Sequence, residues 1–249
     1  LAYKKLSDYE NAIMNLKSAT EININDYSAF LELGKSYYEA NQFQHALTPF
    51  NEVINIKDSD EAKDDANYYL GLSYFNLAQY DESIEAFSSA INLNNQIFDY
   101  YFYLGKAYLE ASDVDSKNPQ FEKAVEAFVN SLSLNNENSN AHYNLGVAYF
   151  NLGRFGNAIE EFKSALNINN NADSHYQLGK AYFAMERWQD SVSSNIEALE
   201  LNPKHSESHY QLGMTYLKLK DKSSAFDEYK VLKAQDKNLA NTLFDSIYQ

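Results

Sequence analysis

Between Ser139 and Asn170, apolar residues recur at helical spacing in two short blocks. Leu145, Gly146, Ala148 and Tyr149 share one side of the first block, and Ala158, Phe162, Ala165 and Leu166 share one side of the second. Gly153 and Arg154 interrupt the pattern between them, so the stretch predicts two amphipathic helices joined by a tight turn. A helix pair this short cannot cover its own apolar face and needs a similar pair on each side. The chain supplies those neighbours. A Leu-Gly pair recurs at Leu33-Gly34, Leu70-Gly71, Leu104-Gly105, Leu145-Gly146, Leu178-Gly179 and Leu212-Gly213, at intervals of 37, 34, 41, 33 and 34 residues. Three residues after each glycine stands a tyrosine: Tyr37, Tyr74, Tyr108, Tyr149, Tyr182 and Tyr216.

Glycine inside a helix costs about 1 kcal/mol relative to alanine, so its return in register implies a compensation, most simply the close approach of the paired helix. The tyrosine falls one turn further on the same side. The second block repeats as Ala46 with Phe50, Ala124 with Phe128, Ala158 with Phe162 and Ala225 with Tyr229, while Ser83 with Phe87 and Ser191 with Asn195 depart from it. These residues resemble the tetratricopeptide repeat, a helix-turn-helix unit of about 34 residues with the pattern W-x2-L-G-x2-Y, A-x3-F, P. The tryptophan position holds Phe30, Asn67, Tyr101, His142, His175 and His209 instead.

The resemblance implies an all-α fold, a right-handed superhelical solenoid of antiparallel helix pairs in a single domain over 1–249. The register gives six full units at 27–63, 64–97, 98–138, 139–171, 172–205 and 206–239. Residues 1–26 fit a partial unit, with Ala2-Tyr3 ending its first helix and Tyr9, Ala12, Leu16 and Ala19 on its second. Leu1 to Lys5 already reads as mid-helix, so the chain is expected to begin inside a longer protein. From Leu239 onward, Leu243, Phe244, Ile247 and Tyr248 form one apolar edge with no following Leu-Gly, which predicts a capping helix at 240–249. Asn- and Asp-rich links between units suit helix capping. Two insertions break the period: three residues within Lys57–Asp65, and seven within Glu110–Gln120. In the latter, Asp113, Asp115 and Lys117 mimic alternating calcium ligands, but the lysine, the missing glycine and the missing terminal glutamate argue against an EF-hand. A lengthened turn or a protruding partner contact fits that segment better.

Composition narrows the chemistry. A formal charge of -15 opposes non-specific binding to nucleic acid or anionic lipid. The absence of cysteine removes disulfides, thiol nucleophiles and cysteine metal sites without choosing a compartment. No apolar run is long enough to span a membrane. Cytoplasm is slightly favoured, with the periplasm or export left open because the N-terminus is expected to be incomplete. His142, His175 and His209 stand at equivalent positions, but without Cys or a local H-x-x-x-H they read as packing residues and not as a zinc site. The glycines follow the repeat and form no nucleotide loop. No catalytic residue, metal or cofactor is expected.

By the resemblance, the first helices line a concave groove in which peptides or partner segments bind. Two residues before each Leu-Gly leucine stand Leu31, Tyr68, Phe102, Tyr143, Tyr176 and Tyr210; after each glycine stand Lys35, Leu72, Lys106, Val147, Lys180 and Met214. A third row, Tyr38, Phe75, Leu109, Phe150, Phe183 and Leu217, is expected to pack within the stack. The candidate partner site is therefore Tyr68, Phe102, Tyr143, Tyr176 and Tyr210 with Lys35, Lys106 and Lys180: rigid apolar rings with polar tips beside a positive stripe. Family members that read a C-terminal carboxylate surround it with a Lys/Asn/Arg cluster. Here Tyr143, Tyr176 and Tyr210 occupy the places of those polar donors, so an extended, mixed hydrophobic and acidic segment is the expected ligand. The alternatives are self-association through outer faces or stack ends, and the recognition portion of a larger enzyme.

Overall fold

A computed structural model describes residues 6–112 and 120–248. The segment carrying Asp113, Asp115 and Lys117, and Ala2-Tyr3 at the start, lie outside the described residues. Among the described residues the regular structure is helical, and the chain falls into two compact units, Leu1–Asn135 and Asn136–Gln249.

In the first unit, α1 (Leu6–Ile22) packs on α2 (Tyr27–Glu39), and each helix then packs on its successor: α3 (Phe43–Asn55), α4 (Lys63–Asn76), α5 (Tyr80–Leu93), α6 (Phe98–Glu110) and α7 (Gln120–Leu134). The first helices also meet one another, α2 with α4 and α4 with α6. The extra residues before α4 form a short 3-10 turn, Asp60–Ala62, anchored by the buried Ser59 hydroxyl, 2.6 Å from the Val53 carbonyl. In the second unit α8 (Ser139–Asn151), α9 (Phe155–Ile168), α10 (Ala172–Ala184), α11 (Trp188–Leu201), α12 (Ser206–Lys218), α13 (Lys222–Gln235) and α14 (Lys237–Tyr248) pack in the same successive manner.

Among the described residues the helix pairs share a small set of closing devices. Several first helices start at a side-chain cap: Asp26 accepts from the Ala29 N–H at 3.0 Å, Asn138 from Ala141 at 2.9 Å and Asn171 from Ser174 at 2.9 Å. They end in a left-handed residue, Asn41, Ala78, Gly153, Glu186 or Lys220. The next N–H then donates back to the carbonyl of the repeated tyrosine, as Gln42 to Tyr37 at 2.8 Å and Arg154 to Tyr149 at 2.9 Å. Among the described residues, Tyr37, Tyr74, Tyr149, Tyr182 and Tyr216 thus mark where their turns close.

The glycines have the physical reason expected of them. A Cβ on Gly34, Gly71, Gly105 or Gly146 would lie 2.5–2.7 Å from the ring of Phe50, Phe87, Phe128 or Phe162, and all four rings are fully buried. Two units solve the problem differently. Gly179 faces the buried amide of Asn195, and Gly213 faces Leu243 of α14 in place of its own second-helix Tyr229. Leu243, Ala240 and Ile247 are buried against the last pair, so α14 supplies the side chain that closes the Gly213 contact.

Candidate functional site

Tyr68 and Phe102 on the first helices of the first unit, and Tyr143, Tyr176 and Tyr210 on those of the second, are all half-buried. One side of each ring serves the fold. The Tyr68 ring lies 5.0 Å from Tyr100 and 6.0 Å from Phe87, Phe102 6.0 Å from Phe128, and Tyr143 6.0 Å from Phe162. Tyr176 lies 5.3 Å from the His205 ring. Burial raises the pKa of Tyr68, Tyr143 and Tyr176, so these phenols remain protonated donors at neutral pH.

The lysines are not free-standing. Lys35 Nζ is 2.5 Å from Asp65 Oδ2 and 5.0 Å from the centroid of the Tyr69 ring. Lys106 sits 5.1 Å from the Phe75 ring and 5.5 Å from Tyr103; Lys180 sits 4.9 Å from Phe150 and 5.5 Å from Tyr176. Lys106 and Lys180 are thus each held by ring quadrupoles from two successive first helices, Lys35 by one ring. Among the described residues neither Lys106 nor Lys180 forms an ion pair, and burial pulls the Lys180 pKa below its ordinary value.

The third row packs, with a partner that sequence reasoning did not name. Tyr38, Phe75, Phe150 and Phe183 each meet edge-on the aromatic residue that opens the second helix: Phe43, Tyr80, Phe155 and Trp188, at 5.0–5.6 Å. The signal was an aromatic five residues further on in each unit. Sequence reasoning also passed over the residue before each leucine. In the first unit Tyr69 stacks on Phe50 of the preceding pair and Tyr103 on Phe87, at 5.8 and 6.0 Å. In the second unit that place holds half-buried Asn144, Gln177 and Gln211, and Gln177 Nε2 donates to Tyr143 Oη at 3.4 Å.

The histidines tie first helix to second. His142 Nδ1 lies 2.7 Å from Glu161 and His209 Nδ1 2.6 Å from Glu228, while their Nε2 atoms face the carbonyls of Asn136 and Pro203 at 3.1 and 3.2 Å. His175 Nδ1 is 3.0 Å from Glu197 but out of line for a hydrogen bond. The surroundings shift His175 and His209 in opposite directions. Burial lowers the His175 pKa and the Glu197 charge offsets only part of that. At His209 burial pulls the same way, but the Glu228 hydrogen bond, the Pro203 carbonyl and the Glu228 charge together raise it. A cavity of about 320 Å³ beside these rows' first unit lies instead against α1, lined by Met14, Lys17, Tyr37 and His45 among others.

Comparison with family models matches residues 71–112, 113–153 and 148–186 to a TPR repeat model and 196–226 to a tetratricopeptide repeat model, together more than half of the chain. The chain belongs to the tetratricopeptide repeat family. Among curated proteins no match was found. Solved structures share this fold. YrrB is 21% identical with a TM-score of 0.67, over 78% of this chain and 95% of that one. MamA from Desulfovibrio magneticus RS-1 is 15% identical with a TM-score of 0.64, over 70% and 96%. The Cut9-Hcn1 hetero-tetramer of APC/C is 19% identical with a TM-score of 0.65, over 97% of this chain and 46% of that one. Within the tetratricopeptide frame, this chain departs most at α10 and α11. There Asn195 replaces the second-helix phenylalanine, and its Nδ2 donates to the Ser191 carbonyl at 2.8 Å. Ser191 Oγ lies 3.1 Å from Thr215 Oγ1, and among the described residues Asn195 Oδ1 has no partner.

Proposed function

We propose that this chain is a non-catalytic interaction scaffold that binds an extended protein segment across the first-helix faces of its repeats. The observation carrying this reading is the half-buried aromatic row that each unit presents on its first helices, Tyr68 and Phe102 with Lys35 and Lys106 in the first unit and Tyr143, Tyr176 and Tyr210 with Lys180 in the second. Each side chain is half-buried, in contact with the fold over part of its surface and accessible over the rest. Half-exposed tyrosines add large rigid contact area at small entropic cost, and the amides of Asn144, Gln177 and Gln211 can pair with the backbone of an extended chain. Among the solved relatives in fold, YrrB is described as a TPR protein with an unusual peptide-binding site, which supports the same use of the fold here. Among the described residues no helix is long and apolar enough to cross a membrane.

A display library of linear peptides selected on the wild-type protein tests this reading. Selected peptides should lose at least tenfold in affinity for Tyr143→Ala/Tyr176→Ala, with helical content retained. Undiminished affinity would remove the first-helix assignment. Self-association is the second reading, favoured by solvent-exposed aliphatic residues at the ends of second helices, Leu93 and Leu134 in the first unit and Ile168 and Leu201 in the second. A concentration-dependent dimer that is insensitive to the tyrosine substitutions and lost on Ile168→Asn/Leu201→Asn would favour it.

A further inference from the structure

The residue after the repeat glycine is lysine in three units, and the three lysines are not equally satisfied. Lys35 keeps its ring contact with Tyr69 and also receives the Asp65 carboxylate at 2.5 Å. Asp65 comes from the next first helix, six residues before its glycine. The chain itself thus shows what this position accepts: a single carboxylate, seated on the ammonium while a ring stays 5.0 Å from it.

At Lys180 the rings come from the preceding first helix and its own, not from the next one, and among the described residues no carboxylate sits on the ammonium. Phe150 and Tyr176 hold the ammonium at 4.9 and 5.5 Å, as Phe75 and Tyr103 hold Lys106 at 5.1 and 5.5 Å. The residue in the place of Asp65 is Glu207, and its carboxylate lies 3.8 Å from His205 Nδ1 instead. A half-buried ammonium with ring partners only has lost water without gaining an anion. The depressed Lys180 pKa is the same imbalance seen as a proton affinity.

Resting on the first-helix face as the binding surface, we propose that Lys180 is the receptor for one carboxylate side chain of the bound segment. An Asp or Glu of the partner seats on the Lys180 ammonium between Phe150 and Tyr176, and Lys106 offers the equivalent seat between Phe75 and Tyr103. One lysine between two rings matches one charge flanked by apolar residues. A polyanion would meet a chain whose formal charge is -15 and is repelled beyond the seat. The partner's motif is accordingly a lone acidic residue within an apolar or aromatic stretch.

The test uses peptides selected by display on the whole wild-type chain, each synthesised with its acidic residue and with the matching amide. Affinities are measured by fluorescence anisotropy on wild type, Lys180→Met and Lys106→Met, the methionine preserving an unbranched apolar stem. On wild type the amide peptides should bind about tenfold more weakly, the size of a hydrogen bond to a charged group. On Lys180→Met, or on Lys106→Met for peptides seated in the first unit, acid and amide peptides should bind within twofold of each other. Selected peptides without Asp or Glu, or an acid-to-amide loss that persists in both methionine variants, would overturn the proposal. Binding that is also indifferent to Tyr143→Ala/Tyr176→Ala would overturn the first-helix reading beneath it, so the two failures are distinct.

Discussion

Replacing Gly146 by alanine sets helix propensity against packing. Alanine gains about 1 kcal/mol over glycine in a helix interior. At Gly146, however, the new Cβ would lie 2.6 Å from Cε1 and 2.7 Å from Cδ1 of Phe162. Ordinary carbon contacts begin near ~3.5 Å, so the ring must retreat by about 1 Å. Phe162 is 0% exposed and has no solvent side to retreat into. Overpacking of this kind costs about 1–3 kcal/mol, which leaves Gly146→Ala destabilising by up to about 2 kcal/mol. Gly156, the second residue of α9, is the control: among the described residues nothing lies within 4 Å of its Cβ position. Gly156→Ala should therefore stabilise, by up to about 1 kcal/mol. Urea denaturation followed by circular dichroism, with native-state hydrogen exchange reporting on α8 and α9, measures both. Phe162→Leu should restore part of the loss in the double variant, since the two residues share one contact. A Gly146→Ala protein that gains as much stability as Gly156→Ala, about 1 kcal/mol with no packing cost to oppose it, would refute the assignment of the repeat glycines to close packing.

Three further substitutions test other parts of the structure. Ala78 holds a left-handed φ of 56° at the turn where another unit has Gly153, so Ala78→Gly should raise stability by about 0.5–1 kcal/mol, read as a higher urea midpoint; a lower midpoint would contradict the shared turn geometry. Asn195→Leu removes a buried, unpartnered Oδ1 at a cost of one hydrogen bond to Ser191, and Leu243 already shows that leucine fits such a glycine contact; a net gain of about 1 kcal/mol and slower exchange in α10 and α11 are expected. His209 has its folded-state pKa raised above the unfolded value of about 6.5, so its stabilising contribution is complete below that pH and is lost as pH rises through the folded-state pKa. The stability gap between wild type and His209→Gln should be widest near pH 5–6 and close as the solution becomes alkaline; a gap that widens with pH would show that the Glu228 pair does not hold the proton.

Much of the fold is legible along the chain because its signals are local and repeated. Gly146 announces a close neighbour by standing where glycine is costly, and Phe162 sixteen residues later is the neighbour. Signals fade where the partner comes from outside the unit. Nothing near Gly213 indicates that Leu243 of the final helix would take the place of Tyr229, since that exchange is decided by tertiary packing. Ala78 carries no trace in its side chain of the left-handed backbone it adopts. At the candidate site the lysine register was readable, but the Asp65 pairing that distinguishes Lys35 from Lys106 and Lys180 depends on the stacking of successive helices. The third-row aromatics are packing residues for a reason written five positions downstream, in Phe43, Tyr80, Phe155 and Trp188.

The most direct measurement is where a bound segment touches the protein. A display-selected peptide carrying a photoreactive phenylalanine at successive positions can be cross-linked to the wild-type chain and the adducts mapped by mass spectrometry. The expected adducts fall on first helices, at or beside Tyr68 and Phe102 on α4 and α6 or Tyr143, Tyr176 and Tyr210 on α8, α10 and α12. Adducts confined to the second helices, such as α5, α9 and α11, would contradict the first-helix face as the binding surface.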